Sequence, residues 1–162
     1  MKNRLLAILG AFLITASFCL VSQAADFSSI EGTYVMESRT LPDGTVLTPP
    51  AVVGLYTMDD GYVNFNLAVK HSDGKVWSRS DIATYSISGS TYTEEHLYTA
   101  INDGTGMKHD FTKRSGSSEM VMSEGNVELE FPVSGKIFGS FGPNSLTAMK
   151  SGVFIDKWVK VK

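Results

Sequence analysis

Glu94 and His96 stand two residues apart in a run, Thr91 to Thr99, that reads as a strand. A spacing of two puts side chains on the same face of a strand. That face carries Tyr92, Glu94, His96 and Tyr98, a carboxylate beside an imidazole between two phenols. Histidine titrates near neutral pH, so the pair suits general acid–base work, as a cyclase, isomerase or hydrolase would need. It equally suits the binding of a polar head group. The opposite face, Thr91, Thr93, Glu95, Leu97 and Thr99, is scarcely more apolar. The alternation therefore leaves open which face turns inward, and a solvated, non-catalytic face is the plainer reading.

The remaining histidines, His71 and His109, lie 25 residues before and 13 residues after His96, which matches no compact metal-ligand motif. No metal site or cofactor is expected. Gly104-Thr105-Gly106 lacks the following helix and the Gly-Lys-Ser/Thr of a phosphate loop. Asp43-Gly44, Asp60-Gly61 and Asp103-Gly104 read as turn chemistry, because a calcium loop needs more carboxylates at alternate positions. The aromatics offer a second chemistry, the wall of an apolar pocket. Tyr56, Tyr85 and Tyr98 fall in mid-strand and are the expected ligand wall, with His96 as a polar anchor. Trp77, in a polar stretch from His71 to Asp81, is expected to cover the mouth of a cavity or pack on its rim. Tyr34, Phe131 and Trp158 are expected to be core packing.

These side chains must be held by strands. No window carries a clean helical period, while several carry period two between turn signals, the pattern of an all-β sandwich or barrel. The runs are Gly32 to Thr40, Val52 to Met58, Tyr62 to Val69, Ile82 to Ile87 and Thr91 to Thr99, then Lys108 to Lys113, Glu119 to Met122, Asn126 to Phe131, Lys136 to Phe141, Ser145 to Lys150 and Val153 to Val161. In the first, Tyr34, Met36 and Ser38 share one face and Val35, Glu37 and Arg39 the other. Arg114 to Ser118 reads as a flexible turn. The expectation is an antiparallel β-barrel of eight to ten strands, since closure removes exposed edges and eight strands leave room for side chains or one small ligand.

Residues 1–24 read as a secretory signal peptide: Lys2 and Arg4, an apolar run from Leu5 to Val21, then Ser22-Gln23-Ala24 with small residues at the cleavage positions. Cleavage near Ala24 predicts a secreted or periplasmic domain of residues 25–162, with no stable membrane insertion. Losing Lys2 and Arg4 takes the formal charge from −3 to −5, which argues against nucleic acid as a partner. The single cysteine, Cys19, leaves with the signal, so the mature domain has no disulfide and no thiolate nucleophile.

Several pieces, in order, resemble the bacterial lipocalin-like domain family. They are Ile30-Glu31-Gly32-Thr33-Tyr34, then Pro42-Asp43-Gly44, Pro49-Pro50 and Gly54 to Tyr62, then Ala83 to Ser90, His96, and the closing Trp158-Val159-Lys160-Val161. Gly32-Thr33-Tyr34 is similar to the glycine-x-aromatic signature of lipocalins, with Tyr for the usual Trp. The resemblance implies a lipocalin-like barrel open at one end, and the function expected of such a barrel, by analogy, is to bind a small, largely apolar molecule. An enzyme using Glu94 and His96, or a filled barrel acting as an interaction protein, are the alternatives.

Overall fold

The computed structural model describes residues 26–161, so the expected signal segment lies outside the described residues. It is all-β and antiparallel. One turn of 3-10 helix, Phe27–Ile30, precedes the strands β1 (Gly32–Thr40), β2 (Val46–Leu47), β3 (Val52–Asp59), β4 (Tyr62–Lys70) and β5 (Val76–Ser88). There follow β6 (Thr91–Asn102), β7 (Met107–Asp110), β8 (Arg114–Glu119), β9 (Val121–Ser123) and β10 (Asn126–Phe131). The chain closes with β11 (Ile137–Gly142), β12 (Ser145–Lys150) and β13 (Phe154–Val161). Polar turns between runs of alternating residues set these boundaries, and Gly32–Thr40, Asn126–Phe131 and Ser145–Lys150 stand where the period-two pattern puts them.

The strands form one sheet in the order β7-β6-β5-β4-β3-β1-β13-β12-β11-β10-β9, with β2 on β1 and β8 on β6. The sheet rolls around one interior: Tyr56 on β3 meets Phe131 on β10 edge-on, ring centroids 6.2 Å apart, although four strands separate them in the ladder. Two expectations are corrected here. There are thirteen strands rather than eight to ten, and no ladder closes the sheet among the described residues. The seam is spanned instead by the chain from Arg114 to Ser123. Its first part, β8, pairs with β6, and its last part, β9, pairs with β10. Met120 lies between them, buried, its amide donating to Ser90 O at 2.7 Å. The stretch expected as a flexible turn, Arg114 to Ser118, is thus a strand. Its Ser and Gly residues carry weak strand propensity, and pairing along β6 overrides it.

The end holding the 3-10 turn is plugged. Tyr34 is fully buried, donates from its hydroxyl to Ile30 O at 2.8 Å, and packs edge-on against Phe141. Lys160 donates to Ser29 O at 3.0 Å and lies across Gly32, where a Cβ would collide with its side chain. Gly32 also holds φ at 138°, which side-chain-bearing residues rarely adopt, so two constraints select glycine there.

Two β-bulges matter more for the interior than the strand count. Between Met36 and Ser38 the β1–β13 register shifts, leaving Glu37 as the extra residue. Tyr34 and Met36 point inward before it and Arg39 points inward after it, so Arg39 leaves the outer face that unbroken alternation predicts. The same event occurs on β6. Ile82 faces Tyr98, the next pair is Ala83 with His96, and Leu97 is the extra residue. Tyr92, Glu94 and His96 point inward before it and Thr99 after it. A bulge re-aims the side chains beyond it by one position.

Four phenols, Tyr34, Tyr56, Tyr85 and Tyr92, are buried. Burial pushes the Tyr34 hydroxyl up to about 12 and also raises Tyr56, Tyr85 and Tyr92, with the carboxylate of Glu31 adding to Tyr85 and that of Glu94 to Tyr56 and Tyr92. The folded state therefore holds protons that the unfolded chain gives up near pH 10. The stability these phenols contribute is complete below about pH 10 and falls as pH rises beyond it, by about 1.4 kcal/mol per pH unit for each. Phenolate absorbance and far-ultraviolet circular dichroism, followed together in an alkaline titration, are expected to change in one step above pH 10 for these residues. Phenolate absorbance worth more than two of the six tyrosines, appearing well before the loss of strand signal, would show that the floor admits water.

Candidate functional site

The sheet encloses a cavity of about 410 Å³. Its apolar wall comes from Tyr56 on β3, Phe65 and Leu67 on β4, Phe131 on β10, Leu146 on β12 and Trp158 on β13. Trp158 can lie over β3 because Gly54 is opposite: a Cβ there would sit 2.7 Å from the indole ring. Away from the plugged end, the lining residues Trp77, Arg79, Ile137, Lys150 and Phe154 are only half-buried, so the cavity opens there.

Into this wall three carboxylates project, each with both oxygens occupied. Glu94 accepts from the Tyr92 hydroxyl at 2.6 Å on one oxygen and faces His96 Nε2 at 2.6 Å on the other. Asp81 accepts from Arg79 Nε at 2.6 Å and from the Thr99 hydroxyl at 2.7 Å. Asp156 takes Arg39 Nε and Nη2, both at 2.6 Å, while the guanidinium carbon stands 4.3 Å from the centre of the Phe154 ring. This last pair is a bidentate bridge with a cation–π contact. Burial pushes the Asp156 carboxyl up and the Arg39 guanidinium pulls it back. His96 Nδ1 stands 4.0 Å from Asp81 Oδ1, beyond hydrogen-bond reach.

The residues expected to form the site are divided by this geometry. His96, Glu94, Tyr56 and Trp77 line the cavity. Trp77 does so from strand β5, not from a loop, because β5 begins at Val76 and absorbs most of the stretch expected to be irregular. Tyr98 does not line it. The bulge at Leu97 turns Tyr98 outward, where its hydroxyl meets His109 Nδ1 at 2.8 Å and its ring packs on Phe111. Tyr85 points inward but lies at the plugged end, its hydroxyl donating to Glu31 at 2.5 Å and its ring stacked on Tyr92. The three histidines do not converge: His96 is buried, His71 is exposed, and His109 is on the outside with Tyr98. Among the described residues no group of three or more His, Cys, Asp or Glu is arranged to hold a metal. No described helix is long and apolar enough to cross a membrane.

Sequence reasoning missed Arg39, Arg79, Asp81, Asp156 and Lys150, and it assigned Phe131 and Trp158 to core packing alone. Asp81 pairs with Thr99 across β5 and β6, and Arg39 with Asp156 across β1 and β13. Those pairings depend on register past a bulge, which composition does not announce.

No family model matches the sequence, and no curated protein matches it. A solved structure of a lipocalin-like protein from Bacteroides uniformis ATCC 8492 is similar, at 13% identity over 82% of this chain and 99% of that one, with a TM-score of 0.38. A likeness of that degree carries no argument about ligand or activity, and the fold stands on its own strand pairing.

Breaking the Arg39–Asp156 bridge leaves one buried charge without its partner, which costs about 3 kcal/mol. Asp156→Leu alone is expected to lower stability by about that much in urea titration. Asp156→Leu combined with Arg39→Met is expected to recover most of it. A double variant as weak as the single would show that the pair is needed for the fold itself.

Proposed function

We propose that this chain is an exported, lipocalin-like binding protein that holds one small, largely apolar molecule in its interior. The observation that carries the reading is the 410 Å³ cavity with its wall of Tyr56, Phe65, Phe131 and Trp158. Sites for small molecules are concave, mostly apolar and supplied with a few fixed polar groups, and their volumes begin at about 300 Å³. Desolvation against the aromatic wall drives binding, and His96 is the polar anchor. Trp77 stands beside the opening as its rim. Export rests on the basic, apolar and small-residue regions of residues 1–24, and the acidic charge of the rest turns the protein away from nucleic acid.

A second reading is supported by one contact. Glu94 holds His96 Nε2 at 2.6 Å and so orients the ring of a residue that lines the cavity, the arrangement of a general acid–base pair. In that reading Glu94→Gln would abolish turnover of the captured molecule while leaving its affinity nearly unchanged.

The binding reading is tested with the neutral fluorescent probe N-phenyl-1-naphthylamine on the mature protein. Saturable binding is expected, with emission shifted to the blue. Ala148→Trp, which fills the cavity from β12, is expected to weaken it at least about tenfold while strand content is kept. Binding that ignores the tryptophan would place the probe on the outer surface and contradict the reading.

A further inference from the structure

We infer that two copies of this chain pair edge to edge through β7, about a two-fold axis at His109, so that one sheet runs across both copies. The surface lies outside the cavity and is independent of what the cavity holds.

β7 is the end of the ladder. It pairs with β6 on one side, and among the described residues no strand pairs with its other edge. Such an edge presents backbone donors and acceptors to any strand that can align with it. Met107, Lys108 and His109 are exposed and Asp110 is half-buried. Phe111, the next residue, is 72% exposed. Tyr98 on β6 supports this strip from beneath: its ring stacks on His109 and lies 5.0 Å from that of Phe111. By contrast, the edge of β8 is covered, since Gly116 lies close against Pro132. At the far end of the ladder β9 has only three residues and no charge.

The sequence of this edge is complementary to itself when reversed. It reads apolar, basic, histidine, acidic, apolar over Met107-Lys108-His109-Asp110-Phe111. In an antiparallel pair centred on His109, Lys108 faces Asp110 of the second copy, and Met107 faces its Phe111. Opposite charges across a strand pair stabilise it, and like charges destabilise it. The neighbouring registers fail. A slip of one residue puts the apolar face of one copy on the opposite side of the sheet from that of the other. A slip of two sets Lys108 against Lys108 of the second copy, or Asp110 against its Asp110. A lone lysine on an edge strand guards it against pairing, and here Asp110 cancels that guard in one register only. The pairing is isologous and closes at two copies. Lys108 now contacts Asp103, and Asp110 contacts Arg114, but these pairs are exposed and compete weakly. Five residues a side make a small interface, so the dimer is weak, with a dissociation constant on the order of 10 to 100 µM.

Sedimentation equilibrium of the mature protein, from about 5 to about 500 µM, is expected to show a monomer passing into a dimer. Lys108→Glu makes both flanking positions acidic, and Asp110→Lys makes both basic. Each variant alone is expected to dimerise at least about tenfold more weakly. An equimolar mixture of the two regains the dimer, because each acidic pair of positions then meets a basic one. The Thr112 amide loses its acceptor in Asp110→Lys, so circular dichroism checks the strand content of each variant, and recovery in the mixture shows that both fold. Amide exchange across residues 107–111 is expected to slow as the dimer forms. A wild-type chain that stays monomeric throughout overturns the inference. So does a dimer that both single variants leave intact, which would use another surface. Mass that keeps growing beyond two copies also overturns it, since β7 would then be pairing with a different edge in an open chain.

Discussion

Burying a carboxylate costs several kcal/mol unless its oxygens find donors, and this interior holds Asp81, Glu94 and Asp156. The rest of the structure is arranged around that constraint. Two bulges supply what regular strands would not. The bulge at Glu37 turns Arg39 inward onto Asp156, and the bulge at Leu97 turns Thr99 inward onto Asp81. Without them Arg39 and Thr99 would point to solvent, and two buried carboxylates would lose donors. A filled hydrophobic barrel needs none of this machinery. Its presence beside open volume is what the binding reading builds on.

Much of the fold was legible because period-two alternation and turn residues report local geometry. The Asn126–Phe131 strand alternates apolar and acidic residues, and its burial alternates with them. The alternation Val63, Phe65, Leu67, Val69 likewise names the inward face of β4. Legibility stopped where geometry became non-local. A bulge is one extra residue opposite a partner strand more than a hundred positions away in the case of β1 and β13, and nothing in Glu37 or Leu97 announces it. Tyr98 was therefore grouped on one face with His96 and counted in the ligand wall, and Arg39 was grouped with Val35 and Glu37 on the face opposite Tyr34. The seam strand Arg114–Glu119, with three serines and a glycine, was lost for a related reason: its partners select its conformation and its composition does not.

The pair that opened the sequence reading, Glu94 with His96, does come together, and it does so inside. Its surroundings decide how it should be viewed. Tyr92 occupies the other oxygen of Glu94, so the carboxylate is fixed at both ends and acts first as a positioning group for the imidazole. The aromatic shell of Tyr56, Phe65, Phe131 and Trp158 surrounds that polar group with surface that gains from excluding water. The combination favours a molecule with an apolar body and one compact polar end.

The central claim, that the cavity is occupied in the cell, is tested most directly by native mass spectrometry of the mature protein purified from its own host. The complex is then denatured and the released molecule identified. The expected result is a stoichiometric small molecule, apolar over most of its surface, lost when Ala148→Trp fills the cavity. A protein that emerges empty from its host, and that also takes up no neutral hydrophobic probe, would contradict the claim and leave the interior as structure alone.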